Sequence, residues 1–361
     1  MSETTANNQS SFSKFLKRKD IEFTAKRYGI DALGAMALGL FASLLIGTII
    51  KTLGQQLGME ILVQIGTYAS AGTGPAMAVA IAWALKAPPF VLFSMVAVGG
   101  AANSLGGAGG PLSVLVIACI ATEIGKMVSK ETKVDLIVTP FVTITVGVLL
   151  SMWLAPPIGA AAAATGQLIM WATEMQPFLM GILVATIVGI ALTLPISSAA
   201  ICAALGLVGL AGGAAVAGCC AQMVGFAVMS FPDNKWGGLV AQGIGTSMLQ
   251  VPNIVKNPKV WIPPILAGMV TGPIATVFFK MQQNGAPVAS GMGTCGFVGQ
   301  IGVYTGWLND IQAGTKAAIT GMDWLGLILI CFVLPAILTW LFAIPLRKMG
   351  WIKPGDLKLD I

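Results

Sequence analysis

Residues 243–264 read Gly243-Ile-Gly-Thr-Ser-Met-Leu-Gln-Val-Pro-Asn-Ile-Val-Lys-Asn-Pro-Lys-Val-Trp-Ile-Pro-Pro264, a polar segment broken by glycine and proline in a chain that is otherwise almost continuously apolar. Peptide groups freed by glycine and proline are costly in hydrocarbon, so such backbone persists at membrane depth only when buried in protein or lining a wet cavity. Asn253, Lys256, Asn257 and Lys259 would also suit an ordinary loop in water. Residues 243–251 carry no charge, however, and this favours the cavity-lining reading and marks the segment as a binding-site candidate.

Working outward, 56% of the 361 residues are hydrophobic and 9% charged, where a soluble domain has about 25% charged residues. The fold class is therefore an all-α polytopic membrane protein. Apolar runs of about 20 residues recur along the chain and leave no room for a separate soluble domain after the amino-terminal segment. A phosphorylating or regulatory domain is thus expected on another chain. The 45 glycines and 19 prolines suit closely packed, interrupted spans of the transporter kind. The net charge of +6 comes from lysines and arginines at span ends and the amino terminus. There they set orientation, and no basic patch interleaved with aromatics points to nucleic acid. The six cysteines lack metal-ligand spacing and there is no histidine, so no metal, disulfide or cofactor is expected.

Hydropathy divides the chain into a basic amphipathic segment (1–28), a transmembrane domain (29–346) and a tail (347–361), with both ends cytoplasmic by the positive-inside rule. Residues 1–10 are polar and expected to be disordered. About nine or ten spans with re-entrant pieces are expected, the first over residues 30–50 and the last over 324–345. A glycine-rich stretch at 99–110 reads as cavity lining or tight packing. One span is expected to stop at Pro156-Pro157, before a separate interfacial helix over 158–174. Hydropathy leaves the direction of the chain between 195 and 260 open.

Without histidine, the usual base near neutral pH is missing. Glu123, three residues before Lys126, is expected to pair with it, and Glu60 and Glu174 read as interfacial. The candidate site is therefore built from hydroxyls and amides: Thr193, Ser197 and Ser198 in one break, Thr246, Ser247, Gln250 and Asn253 in the second, Ser290 and Thr294 in the third. Such a lining suits a neutral hydroxyl-rich or zwitterionic solute.

Lys133-Val-Asp-Leu-Ile-Val-Thr-Pro140, Ala155-Pro-Pro-Ile158, Leu192-Thr-Leu-Pro-Ile-Ser-Ser198, Gly245-Thr-Ser, Asn257-Pro-Lys-Val-Trp-Ile-Pro263 and Ala286-Pro-Val-Ala-Ser-Gly-Met-Gly293 follow one another over some 200 residues. Their order resembles the enzyme IIC membrane component of the bacterial sugar phosphotransferase system, in its fructose-type or perfringolysin-regulator-like branch. The resemblance implies a homodimer in the cytoplasmic membrane, a sugar-class solute, surrounding lipid and separate cytoplasmic phosphotransfer partners. It also implies a hairpin glutamate that clasps sugar hydroxyls; Ser247 stands in its place, and the family's loop histidine is missing. Losing a carboxylate that holds two hydroxyls weakens binding by about 3–6 kcal/mol. Three functions follow: a solute transporter of this type moving its cargo by alternating access, a membrane sensor on the same fold, and a working phosphotransferase subunit.

Overall fold

Backbone in hydrocarbon must satisfy its own donors and acceptors, and helices do so within one segment. Among the described residues every regular element is accordingly helical, apart from an isolated bridge between Gly209 and Gln283. The computed structural model describes residues 11–359; the stretch 1–10, expected to be disordered, and residues 360–361 lie outside them. Six stretches are long and apolar enough to cross a membrane, and two shorter apolar helices accompany them. In chain order the helices are α1 (Ser11–Arg18), α2 (Arg27–Leu57), α3 (Glu60–Ala71), α4 (Thr73–Ala84), α5 (Pro89–Gly106), α6 (Gly110–Val128), α7 (Asp135–Thr173), α8 (Pro177–Thr193), α9 (Ser198–Ala204), α10 (Gly209–Met229), α11 (Phe231–Val240), α12 (Val251–Lys256), α13 (Pro258–Phe278), α14 (Val298–Gln312) and α15 (Gly321–Lys348).

Helices α5 and α6 form one continuous apolar stretch by length but fold back on each other. Gly107, at φ 50° and ψ −122°, breaks the helix, and Lys126 Nζ near the end of α6 donates to Leu85 O, just before α5, at 2.9 Å. The glycine-rich residues 99–106 remain helical, and their glycines serve close packing: a methyl on Gly99 would fall 2.3 Å from Gly74 O. Packing therefore wins over cavity lining at this stretch.

The span expected to end at Pro156-Pro157 does not end there. α7 continues unbroken for 39 residues, about 58 Å at 1.5 Å per residue. Each proline removes one backbone bond, but the alanines at 160–164 are strong helix formers and carry the helix on. Gly159 packs on Gly106 at the far end of α5, so residues 160–173 run past the first helices and lead to the second half of the molecule.

Glycine contacts give the helix directions there. Gly189 abuts Gly218, and one turn further along each helix Thr193 meets Gln222, so α8 and α10 are parallel. Gly181 abuts Gly272 while Ala185 meets Gly268, so α13 runs the other way. Gly225 abuts Thr339, and Arg347 Nη2 donates to Met229 O at 2.6 Å, so α15 is parallel to α10. Two parallel neighbours in sequence require a return, and residues 194–208 supply it with the short helix α9. This resolves the direction that hydropathy left open. The packing is intolerant of side chains: a methyl on Gly218 would lie 1.9 Å from Ala185 O. Gly218→Ala is expected to cost about 1–3 kcal/mol or more, read as a lowered midpoint of thermal unfolding in detergent. Gly237→Ala, with nothing within 4 Å, is the control and should leave the midpoint nearly unchanged.

The amino-terminal segment is tied to the helix ends. Arg18 Nη2 pairs with Glu131 at 2.7 Å, and Lys19 donates to Ser129 O. Arg27 Nη2 donates to Asp20 Oδ2 at 3.0 Å and to Leu85 O at 2.9 Å. Glu123 is buried and has the expected partner: Lys126 Nζ lies 3.1 Å from its Oε2, a charge contact without hydrogen-bond alignment, while Tyr28 OH donates to Oε1 at 2.9 Å. The hydrogen bond from Arg27 holds the Asp20 carboxyl below the usual range, and that from Lys19 does the same for Glu131. A carboxyl whose pKa is lowered on folding contributes stability above its unfolded pKa, about 4, and the contribution fades as pH falls through the lower folded value. Hydrogen exchange at residues 16–21, corrected for its intrinsic pH dependence, should stay slow from neutral pH to about 5 and quicken below about 4.

Candidate functional site

Three breaks in the second half bring the candidate residues to the protein interior. The first is the end of α8, where Leu194 turns extended before Pro195. The second is the hairpin of α11, a turn at 246–250 and α12, whose outgoing and returning arms are cross-linked by Gln250 Nε2 donating to Gln242 Oε1 at 2.8 Å. The third is the turn region 287–297, where Gly293 and Gly296 adopt φ 53° and 51°, conformations open to glycine and strained for other residues.

The hairpin tip meets the end of α8. Thr193 Oγ1 and Ser247 Oγ are 2.8 Å apart, and Thr193 also donates to Gln222 Oε1 at 3.3 Å. Trp261 Nε1, from the start of α13, donates to the same Gln222 oxygen at 2.8 Å. Thr193 and Ser247 are both 0% exposed and Gln222 is 1% exposed. Thr294 lies beside this cluster, its hydroxyl 3.5 Å from Met223 Sδ on α10. Phe41 of α2 covers the hairpin tip, since a methyl on Gly245 would fall 2.2 Å from its ring.

The other candidates serve neighbouring joints. Thr246 caps the turn by accepting from Met248 N at 3.1 Å, and Ser197 caps α9 by accepting from Ala200 N at 3.2 Å. Ser198 Oγ donates to Gly291 O at 2.7 Å and Ser290 Oγ to Leu207 O at 2.6 Å, stapling the first break to the third. Gln250 and Asn253 belong to a chain of amides: Gln242 Nε2 donates to Ser230 Oγ, Gln250 Nε2 to Gln242 Oε1, and Asn253 Nδ2 to Gln250 Oε1. Gln250 and Asn253 also donate to Leu357 O and Lys358 O, at 3.0 and 2.9 Å. The tail, expected from the sequence on the cytoplasmic side, thus also forms part of the hairpin's hydrogen bonding. Residues 246–253 are buried apart from half-buried Pro252, and residues 255–259 reach the surface. Beside them a cleft of about 410 Å³ lies between α12 and α2, lined by Leu249, Pro252 and Asn253 on one side and Ile30, Gly34 and Leu38 on the other.

The sequence model of the family described as phosphotransferase system, EIIC, matches residues 30–359. The chain belongs to this family. No curated protein and no solved structure matches it. The EIIC assignment and the apolar helices together make it a multi-pass membrane component of the sugar phosphotransferase type. Within this EIIC chain, the cluster of Thr193, Ser247, Gln222 and Trp261 has only neutral hydrogen-bonding groups. It can hold hydroxyls by donating and accepting, but none of its side chains takes up a proton near neutral pH.

Gln222 and Trp261 join the candidate residues in this cluster, although the sequence did not single them out. The signal for Gln222 was present: it is the sole amide in α10, a run otherwise of glycine, alanine, cysteine, methionine and aliphatic or aromatic residues. A polar side chain in a charge-free span needs a partner at membrane depth. Trp261 gave no such signal, since tryptophan at the head of a span is also a common interfacial anchor.

Proposed function

We propose that this EIIC chain carries a neutral, hydroxyl-rich solute of the sugar class across the membrane, using the Thr193–Ser247–Gln222 cluster as its polar contact. The observation that carries this reading is the insertion of the hairpin tip against the broken end of α8, which buries three polar side chains linked through Thr193. A sugar hydroxyl can exchange for the Thr193–Ser247 bond at little net cost, because donor and acceptor are both replaced. Alternating access then amounts to parting the hairpin and α8 toward one face at a time, with Phe41 and the tail as the obstacles. Ser198 and Ser290 would keep the other two breaks joined during that movement.

Both termini are assigned to the cytoplasmic side: Ile30 and Asp31 line the same cleft as Lys358 and Leu359, and lysines crowd this face. A homodimer in the bacterial inner membrane follows by family analogy. Phosphorylation would rest on separate partner chains, and Ser247 in place of the family's glutamate argues for transport without it. Uptake of a radiolabelled carbohydrate panel into proteoliposomes, with and without general phosphotransfer proteins, tests both points. Uptake of at least one sugar or polyol independent of those proteins is expected. No response to any polar solute would overturn the reading.

The docked amino-terminal segment favours a second reading, a sensor that keeps this fold and signals through a partner. Arg27 and Tyr28 hold buried Glu123, so the discriminating deletion ends at Lys17 and leaves them in place. A transporter keeps its uptake after that deletion, whereas a sensor loses its output.

A further inference from the structure

We infer that the cationic cup where α1 meets the ends of α4 and α6 is a binding site for a phosphate-bearing anion. The cup holds about 400 Å³ and is lined by five cationic side chains against two carboxylates, Asp20 and Glu131. Three of its cations are already committed. Lys126 lies against Glu123 and donates to Asp20 O and Leu85 O, Lys19 donates to Ser129 O, and Arg18 pairs with Glu131. The bonds to Leu85 O and Ser129 O offset the carbonyl ends of α4 and α6, which would otherwise repel an anion.

Lys86 and Lys130 are left over. The Lys86 side chain is 76% exposed and comes only within 3.9 Å of Asp20, a carboxylate already held by Arg27. Lys130 is exposed, and among the described residues no carboxylate lies within ion-pair distance of its ammonium group. Each follows the last turn of an apolar helix, α4 or α6, the position from which lysines at span ends reach lipid headgroups. Exposed Phe90 and Phe93, in the first turns of α5 directly after Pro88 of the cup, offer an acyl chain an apolar surface. Two unspent ammonium groups across a cup from an arginine suit a tetrahedral oxyanion better than a planar carboxylate, for which one bidentate arginine suffices. Lipid phosphodiester and free phosphate share this chemistry. Bound there, either would join α1 to the loops after α4 and α6.

The test uses the full chain in phosphatidylcholine nanodiscs, with and without phosphatidylglycerol, and in phosphatidylcholine nanodiscs titrated with inorganic phosphate at constant ionic strength. The readouts are the thermal midpoint and lipid retained in native mass spectrometry. Phosphatidylglycerol retained and stabilising, with phosphate inert, identifies the headgroup; stabilisation by phosphate identifies the free anion. In either case Lys86→Gln with Lys130→Gln should weaken the apparent affinity roughly thirtyfold, while the midpoint in phosphatidylcholine alone stays at the wild-type value. Lys348→Gln with Lys353→Gln, on the same face but outside the cup, should have no effect. Equal weakening by both pairs would show diffuse surface charge and overturn the site, as would the absence of any response to either anion.

Discussion

Gln222→Met is expected to lower stability by about 1–3 kcal/mol and to reduce solute uptake at least tenfold, beyond what its stability loss explains. Methionine keeps the length and flexibility of glutamine, so packing on α10 is nearly conserved and the change isolates the amide. The oxygen it removes accepts from Trp261 Nε1 and Thr193 Oγ1. Thr193 keeps Ser247 as a partner at 2.8 Å, so the part-buried indole N–H bears most of the penalty of a lost acceptor. Trp261→Phe removes that donor as well, so the double variant should recover part of the stability lost by Gln222→Met alone, a coupling of about 1 kcal/mol in a double-mutant cycle. Uptake should not recover, because a hydroxylated solute loses its acceptor in both variants. Recovery of uptake together with stability would show that Gln222 is purely structural.

The architecture was readable because one rule governs it: backbone in lipid must be helical, and breaks must hide in protein. The hairpin at 243–257 followed from uncharged residues between glycine and proline, and its buried half behaves as that rule requires. Residues 99–110 and Pro156-Pro157 were less legible, because glycine and proline break a helix or pack it closely according to what lies opposite. Gly74 lies opposite Gly99, and five alanines follow the prolines at 160–164. The candidate hydroxyls were legible as a set but not as a geometry. Composition does not show that Thr193 faces Ser247 while Ser198 and Ser290 turn to backbone carbonyls, since that depends on α8 and α10 being parallel. The ties of the carboxy-terminal tail were invisible for another reason: apart from Asp356, its acceptors are main-chain carbonyls, which every sequence carries.

Those carbonyls make truncation after Gly350 the most damaging change expected outside the central cluster. The tail supplies Leu357 O to both Gln250 and Asn234, Lys358 O to Asn253, and Trp351 O with Asp356 to Asn257. Ile352 and Leu357 are also buried in a cluster with Phe226, Met229, Ile254 and Leu346. Burial of those two side chains alone contributes about 3–6 kcal/mol. Truncation would let water reach the freed amides, so they lose only the net value of each bond, about 0.5–1.5 kcal/mol, and the apolar term dominates. The loss falls on the hairpin rather than on α8, α10 and α13, whose glycine contacts do not involve the tail. Hydrogen exchange should therefore show residues 246–256 losing protection while α10 keeps it, with uptake abolished. Asn253→Ala, which severs one tie and leaves the apolar cluster intact, should slow uptake with little loss of protection. If the truncated chain protected its hairpin as well as the full chain does, the tail would be a passenger, and the hairpin would be held by its other contacts, with Thr193, Ser230 and α2.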